Sequence, residues 1–194
     1  MKKVKLAWCV ASVLTCATLG INPVQATVDA LDLTIVTNIT AGTCKVELQD
    51  TGSAKIDTVN FQNVYIPEVI SKAKVQKFQL AFSGCDGLPQ NQAVFTLSPG
   101  NGATCDGNGN GKAFANAAST NKAEAVAVEV WDSATPDSGK QIECKAKNLT
   151  TVNMTNNAKV FPLSARLVRD SGKADTDVRA GDFNTPAVFN ITYQ

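Results

Sequence analysis

Apolar and mostly polar residues alternate in the stretch from Gly181 to Gln194, and this alternation limits how the chain can fold. The apolar positions are Ala187, Phe189, Ile191 and Tyr193. The mostly polar positions that alternate with them are Val188, Asn190, Thr192 and Gln194. A period of two is typical of a half-buried strand. No residue follows Gln194 that could supply the next strand. We therefore expect one edge of this strand to find its partner elsewhere or to stay open, and an exposed apolar edge favours pairing with another chain.

Alternation also runs through much of the preceding sequence, and no window of helical length shows a 3.6-residue apolar repeat. We predict further strands at 27–41, 44–48, 56–66, 75–85, 93–97, 125–131, 141–146 and 160–168. Glycine and asparagine pairs crowd residues 100–120, which predicts a turn-rich surface loop. The pattern indicates an all-β fold, a sandwich of roughly seven strands.

The N-terminus has the three parts of a secretory signal. Lysines at positions 2, 3 and 5 precede an apolar run over residues 6–21, and Ala26 suits cleavage. Residues 27–194 would remain, the size of one ordinary domain. Three lysines and no acid leave with the signal, so the formal charge of +1 becomes slightly negative. We expect no nucleic-acid partner and no stable membrane insertion of the mature chain.

Four of the six cysteines lie outside the predicted signal, at Cys44, Cys85, Cys105 and Cys144. An even number of cysteines in an exported chain predicts disulfide bonds. Three pairings are possible, and we favour Cys44 with Cys85 and Cys105 with Cys144, because each pair joins segments that are predicted to be neighbouring strands. The chain contains no histidine and no Cys-x-x-Cys spacing, so we predict no metal site and no cofactor.

Two short motifs resemble catalytic or ligand-binding sequences. Asp106-x-Asn108-x-Asn110 begins like a calcium loop, but Ala117 stands where the bidentate glutamate belongs, which favours a glycine turn. Ser119 and Lys122 match a serine-lysine pattern of acyl-transfer enzymes without its companion motifs. No spacing singles out a catalytic pair of carboxylates. We predict that the chain is not an enzyme.

Several segments together resemble the pilin subunits of bacterial fimbriae assembled by the chaperone-usher route. Tyr193 is penultimate, Gly181 lies fourteenth from the end, and the terminal strand alternates between them. The run Phe161-Pro-Leu-Ser-Ala-Arg-Leu167 is similar to the family's penultimate strand. Thr43-Cys44-Lys-Val46 and Phe78-x-Leu80-x-Phe82-x-Gly84-Cys85 are similar to its two disulfide-bearing strands. The resemblance covers the chain from its N-terminal extension to Gln194.

This resemblance implies an incomplete immunoglobulin-like β-sandwich that lacks its final strand. A pilin domain at 44–194 would carry an apolar groove beside the terminal strand, with acceptor and chaperone-binding residues at Gly181, Ala187, Phe189, Ile191, Tyr193 and Gln194. A periplasmic chaperone would lend a strand to this groove, and the extension of a neighbouring pilin would replace it at the outer-membrane usher. The chain's own extension, at 27–43, would donate Leu31, Leu33 and Ile35. The expected location is a surface fimbrium.

Two points leave alternatives open at this stage. The extra cysteine pair and the single domain favour a minor or adaptor pilin over an abundant shaft subunit. The residues alone also allow a secreted, self-contained sandwich that binds sugar or protein through the 100–120 loop. In that case residues 27–41 would form an ordinary first strand of the domain.

Overall fold

Two antiparallel sheets pack face to face around one main apolar core in the computed structural model, which describes Thr37 and residues 40–146 and 148–194. The described strands are β1 (Thr43–Asp50), β2 (Val75–Asp86), β3 (Gln92–Pro99), β4 (Phe114–Ala115), β5 (Val126–Trp131), β6 (Thr150–Asn153), β7 (Lys159–Arg169) and β8 (Ala187–Tyr193). Two short helical segments, α1 (Ile66–Ile70) and α2 (Asp106–Gly109), and a 3-10 turn (Asp175–Asp177) connect them. The predicted all-β sandwich is confirmed.

The sheets have five and three strands. Their orders are β1-β2-β7-β5-β4 and β6-β3-β8. The inward residues are large and apolar, and Phe95, Phe114 and Leu163 are each fully buried. The Phe95 ring makes edge contacts with Phe161 of β7 and Phe189 of β8, at centroid distances of 5.6 and 5.5 Å. Since these three rings come from both sheets, they join the layers at the centre of the core.

The strand predicted at 56–66 is wrong. This segment contains no strand; an isolated bridge between Lys55 and Gln49 directly precedes it, and it ends in α1. Pro67 lies in the first turn of α1, where its missing N–H costs nothing, and the Glu68 carboxylate accepts a hydrogen bond from the Tyr65 N–H at 2.8 Å. Its apolar residues Ile56, Val59, Phe61 and Val64 still pack against the core, although their backbone is irregular.

The strand predicted at 141–146 is also wrong. Gln141 makes one bridge to Trp131, after which the chain leaves the sheet. The Cys144 N–H donates to the Lys112 carbonyl at 2.8 Å, so the segment is fastened to the loop before β4 instead. The cysteines form two disulfides, Cys44 with Cys85 and Cys105 with Cys144, which are the pairs that the sequence analysis favours.

The 100–120 segment differs from a simple surface loop, because part of it is buried. The Asp106 side chain is only slightly exposed and accepts hydrogen bonds from the N–H groups of Ala113 and Ser171, both at 3.0 Å. Burial raises the pKa of the Asp106 carboxyl, and the two hydrogen bonds oppose this shift. The residue that resembled a calcium ligand therefore holds the turn before β4 to the turn after β7.

The buried turn generates a prediction about Gly111. A Cβ atom at this position would lie 1.8 Å from the Asp106 Oδ1, where it must displace a buried hydrogen-bonded carboxylate. We expect Gly111→Ala to lower the free energy of unfolding by about 2 kcal/mol in urea denaturation. Gly52→Ala is the matched control, because a Cβ there meets only the Asp50 side chain at 3.4 Å, and its effect should stay within about 0.5 kcal/mol. Equal losses in both variants would contradict this account.

Candidate functional site: the seam between β1 and β8

The first and last described strands each stand at the edge of a sheet. β1 pairs with β2 alone and β8 with β3 alone among the described strands. The outer edges of these two strands meet where the Tyr193 hydroxyl donates to the Cys44 carbonyl at 3.2 Å. We call the gap between residues 44–48 of β1 and Ala187–Tyr193 of β8 the open seam.

Side-chain exposure changes abruptly across the β3–β8 pair. Ala93, Phe95 and Leu97 of β3 are almost completely buried. Their register partners on β8, Tyr193, Ile191 and Phe189, remain partly exposed although they pack against the same core. Val46 and Leu48 of β1 show the same contrast with Phe82 and Leu80 of β2. The core is therefore incompletely covered along the open seam.

The backbone of β8 presents hydrogen-bonding groups to the open seam. Gln92 and Gln194 exchange two backbone hydrogen bonds, of 3.1 and 2.8 Å, which marks them as a hydrogen-bonded pair. Such pairs alternate along an antiparallel ladder, so Thr192, Asn190 and Val188 also direct their N–H and C=O groups toward β3. The intervening residues direct theirs to the seam; these are Ala187, Phe189, Ile191 and Tyr193.

β1 has the same arrangement over a shorter length. The Leu48 carbonyl accepts a hydrogen bond from the Ile56 N–H at 2.9 Å, so the even-numbered residues of β1 face away from β2. Residues 54–56 thereby cover the far end of this edge, and Tyr193 covers its beginning at Cys44. Burial raises the pKa of the Tyr193 phenol, which is protonated at neutral pH even without this shift. The open part of β1 is centred on Val46.

The opposite side of the sandwich is closed by the chain itself. Ile142 and Cys144, in the connection from β5 to β6, are 2% and 1% exposed and belong to the main core. The Ile142 N–H donates to the Val130 carbonyl at 2.8 Å, and the disulfide binds Cys144 to Cys105. These bonds hold Ile142 and Cys144 against the five-stranded sheet and the turn before β4, so the two residues fill the core on this side, which we call the closed seam.

Five of the six predicted acceptor residues lie on or directly after β8, and one lies elsewhere. Ala187, Phe189, Ile191 and Tyr193 line the open seam, and Gln194 continues their strand by pairing with Gln92. Gly181 lies elsewhere, since a Cβ there would meet the backbone of residues 121–123 at 2.4 to 2.6 Å. Leu31, Leu33 and Ile35 and the signal segment 1–26 fall outside the described residues. The sequence analysis missed Val46 and Leu48, which the alternation within 44–48 could have identified.

The alternation of β8 predicts a pattern of amide hydrogen exchange in the mature chain without an added strand. The N–H groups of Phe189 and Ile191 face the open seam and should exchange with solvent rapidly. Those of Asn190 and Thr192 bond to β3 and should exchange at least about tenfold more slowly, because they open only with the sheet. Residue-resolved exchange by NMR measures this. Uniform protection of all four amides would show that the seam is already filled.

The described residues contain no helix long and apolar enough to span a membrane. The family model for fimbrial proteins matches residues 31–194. A curated relative, the uncharacterized fimbrial-like protein YadL of Escherichia coli K12, is 40% identical over 190 residues, which cover 94% of each chain.

Two solved structures resemble the fold. A chain from the structure of a chaperone-usher pilus matches with a TM-score of 0.54 and 17% identity, over 86% of this chain and 96% of its own length. An antigen and type I fimbria protein of Burkholderia pseudomallei matches with a TM-score of 0.50 and 18% identity, over 79% of this chain and 100% of its own. The chain therefore belongs to the fimbrial protein family and is a structural fimbrial subunit with the fold of chaperone-usher pilins.

Proposed function

We propose that this chain is a subunit of a chaperone-usher fimbria whose open seam accepts a β-strand from another protein. One observation carries the proposal. On β8, Phe189, Ile191 and Tyr193 direct backbone donors and acceptors into the seam, and the same three residues pack their side chains against the core. A single extended strand beside β8 would therefore complete a hydrogen-bond ladder and cover an apolar floor together.

The chemistry of the seam defines the strand that fits it. Alternate residues of the incoming strand face Phe189 and Ile191, so these residues must be apolar, and the intervening ones face solvent. Burying an aliphatic side chain of this kind contributes roughly 1.5 to 3 kcal/mol. Each new ladder hydrogen bond contributes about 0.5 to 1.5 kcal/mol. Together they offset an ordering cost of about 1 to 2 kcal/mol per residue of a flexible strand.

Segment 27–43 supplies a strand with the required pattern. Leu31, Leu33 and Ile35 would enter the open seam of a neighbouring pilin, while Asp32 and Thr34 would remain in solvent. A periplasmic chaperone would occupy this chain's own seam until the usher exchanges it for a neighbour's extension. Removal of residues 1–26 on export, passage through the periplasm and a final position in a surface fimbrium follow from this assignment. The role is structural, and no catalytic residue is proposed.

Donation is tested with one substitution on each face of the extension. We expect Leu33→Asp to reduce incorporation into fibres at least about tenfold when the chain is co-expressed with its chaperone and usher, because a carboxylate would enter an apolar seam. Thr34→Asp places the same charge on the solvent face and should incorporate normally. Fibre content is measured by electron microscopy and by immunoblotting of sheared surface protein. Equal incorporation of the two variants would refute the donor role of this face.

Acceptance is tested on β8 with a matched pair. Ile191→Asp introduces a carboxylate into the seam, whereas Asn190→Asp introduces it on the solvent face of the same strand. We expect the first variant to lose binding of a peptide of residues 27–38 by at least about a hundredfold, and the second to bind within about twofold. Calorimetric titration of the purified mature chain measures both. Retained binding by Ile191→Asp would place the acceptor site elsewhere.

A further inference from the structure

The backbone at Gly42 lies against the connection between β2 and β3. A Cβ atom at residue 42 would meet the Gly87 carbonyl oxygen at 2.3 Å and the Leu88 nitrogen at 2.8 Å, which leaves no room for a side chain. Leu88 is 8% exposed and belongs to the main core, so the backbone of residues 87–88 cannot move aside without disturbing the packing. Only glycine fits at this position, and we call its contact with residues 87–88 the exit contact.

The exit contact lies directly before β1, where the N-terminal extension joins the domain. The next residue, Thr43, pairs with Asp86 at the end of β2, and a disulfide binds Cys44 to Cys85 of the same strand. β2 borders one edge of β1, and the open seam borders the other. The exit contact therefore holds residue 42 on the side of β1 that is away from the open seam.

Tyr193 occupies the seam side of the same point. Its hydroxyl donates to the Cys44 carbonyl at 3.2 Å, two residues after the exit contact. A hairpin that turned from Gly42 into the open seam would pair with β1 along this edge and would need the Cys44 carbonyl for its own ladder. Such a turn would therefore have to break both the exit contact and the Tyr193 hydrogen bond.

The length of the extension does not by itself keep it out of the chain's own seam. β8 has seven residues, so the open seam is about 24 Å long, whereas residues 27–38 reach about 40 Å when extended. The remaining residues, 39–43, are enough for a hairpin turn. A tethered strand also competes at an effective concentration of about millimolar. Without an obstacle at its exit, the extension would fill its own seam before a neighbour's extension could.

We infer that the exit contact directs residues 27–38 away from this chain's own open seam and so reserves them for a neighbour. Gly42 is in this sense a positioning residue for strand exchange, although it touches neither the donated side chains nor the floor of the seam. The inference rests on the proposed function, since it requires that the open seam takes a strand of this sequence. It adds the reason why the same chain does not donate to itself.

The test is a calorimetric titration of the purified mature Gly42→Ala chain with the 27–38 peptide. The added Cβ must push residue 42 off the 87–88 backbone, which frees the extension to turn into its own seam. We expect the apparent affinity for the peptide to fall at least about tenfold, because only chains with an empty seam can bind it. The N–H groups of Phe189 and Ile191 should also become protected from exchange. Gly52→Ala is the control beyond the other end of β1, where a Cβ meets only the Asp50 side chain, and it should bind within about twofold of the wild-type chain.

A double variant separates a released extension from a damaged domain. Leu33→Asp added to Gly42→Ala keeps the extension out of the apolar seam, so the double variant should recover the peptide affinity of the wild-type chain. A loss of affinity that persists in the double variant reports damage to the domain and overturns the inference. If the wild-type chain binds the peptide and Gly42→Ala binds it equally well, the inference alone fails. If the wild-type chain does not bind the peptide, the proposed function fails together with the inference.

Discussion

The geometry of one edge strand determines much of this structure. In an antiparallel pair, the residues of an edge strand alternate between those that bond to the neighbouring strand and those that face away from it. On β8 the second set coincides with the apolar residues that point into the core. The same edge therefore lacks both hydrogen-bond partners and apolar cover among the described residues. A β-strand placed along this edge would supply the hydrogen-bond partners and cover the apolar side chains together, which explains why a strand is the expected occupant.

The two gaps between the sheets differ, because the chain's own residues fill one and leave the other open. The closed seam is filled by Ile142 and Cys144 and fastened to the turn around Asp106 through the Cys105–Cys144 disulfide. In the chain-entropy model a crosslink that closes a loop of this length contributes roughly 4 kcal/mol. The other disulfide, Cys44 to Cys85, fastens β1 to β2 beside the open seam without crossing it. The two crosslinks thus lie at the two ends of the five-stranded sheet, beside β1 and beside β4, and neither crosses the open seam.

Sequence patterns predicted the regular parts of the fold and failed where tertiary contacts decide the backbone. The terminal strand and the strands at 75–85, 93–97 and 160–168 have apolar residues at every second position, and the structure contains them within a few residues of the predicted bounds. Residues 56–66 carry spaced apolar residues at Ile56, Val59, Phe61 and Val64, which pack against the core without forming a strand, and Pro67 and Glu68 favour a helical turn at the end of the segment. Similarly, glycine-rich composition at 100–120 does not reveal that Asp106 is buried, because its partners Ala113 and Ser171 include one that is distant in sequence.

The candidate site was only partly predictable for the same reason. Alternation identifies which residues of β8 share a face, but the register with β3 decides which of them also direct their backbone outward. Alternation within 44–48 could have placed Val46 and Leu48 on one face of β1, but not that this face lies across the gap from β8, which is a tertiary relation. The most direct measurement of the central claim is the urea midpoint of the purified mature chain with and without a saturating peptide of residues 27–38. The account predicts a large upward shift with the peptide, because the peptide completes the core. An unchanged midpoint, in a chain that is already cooperative and stable alone, would contradict it.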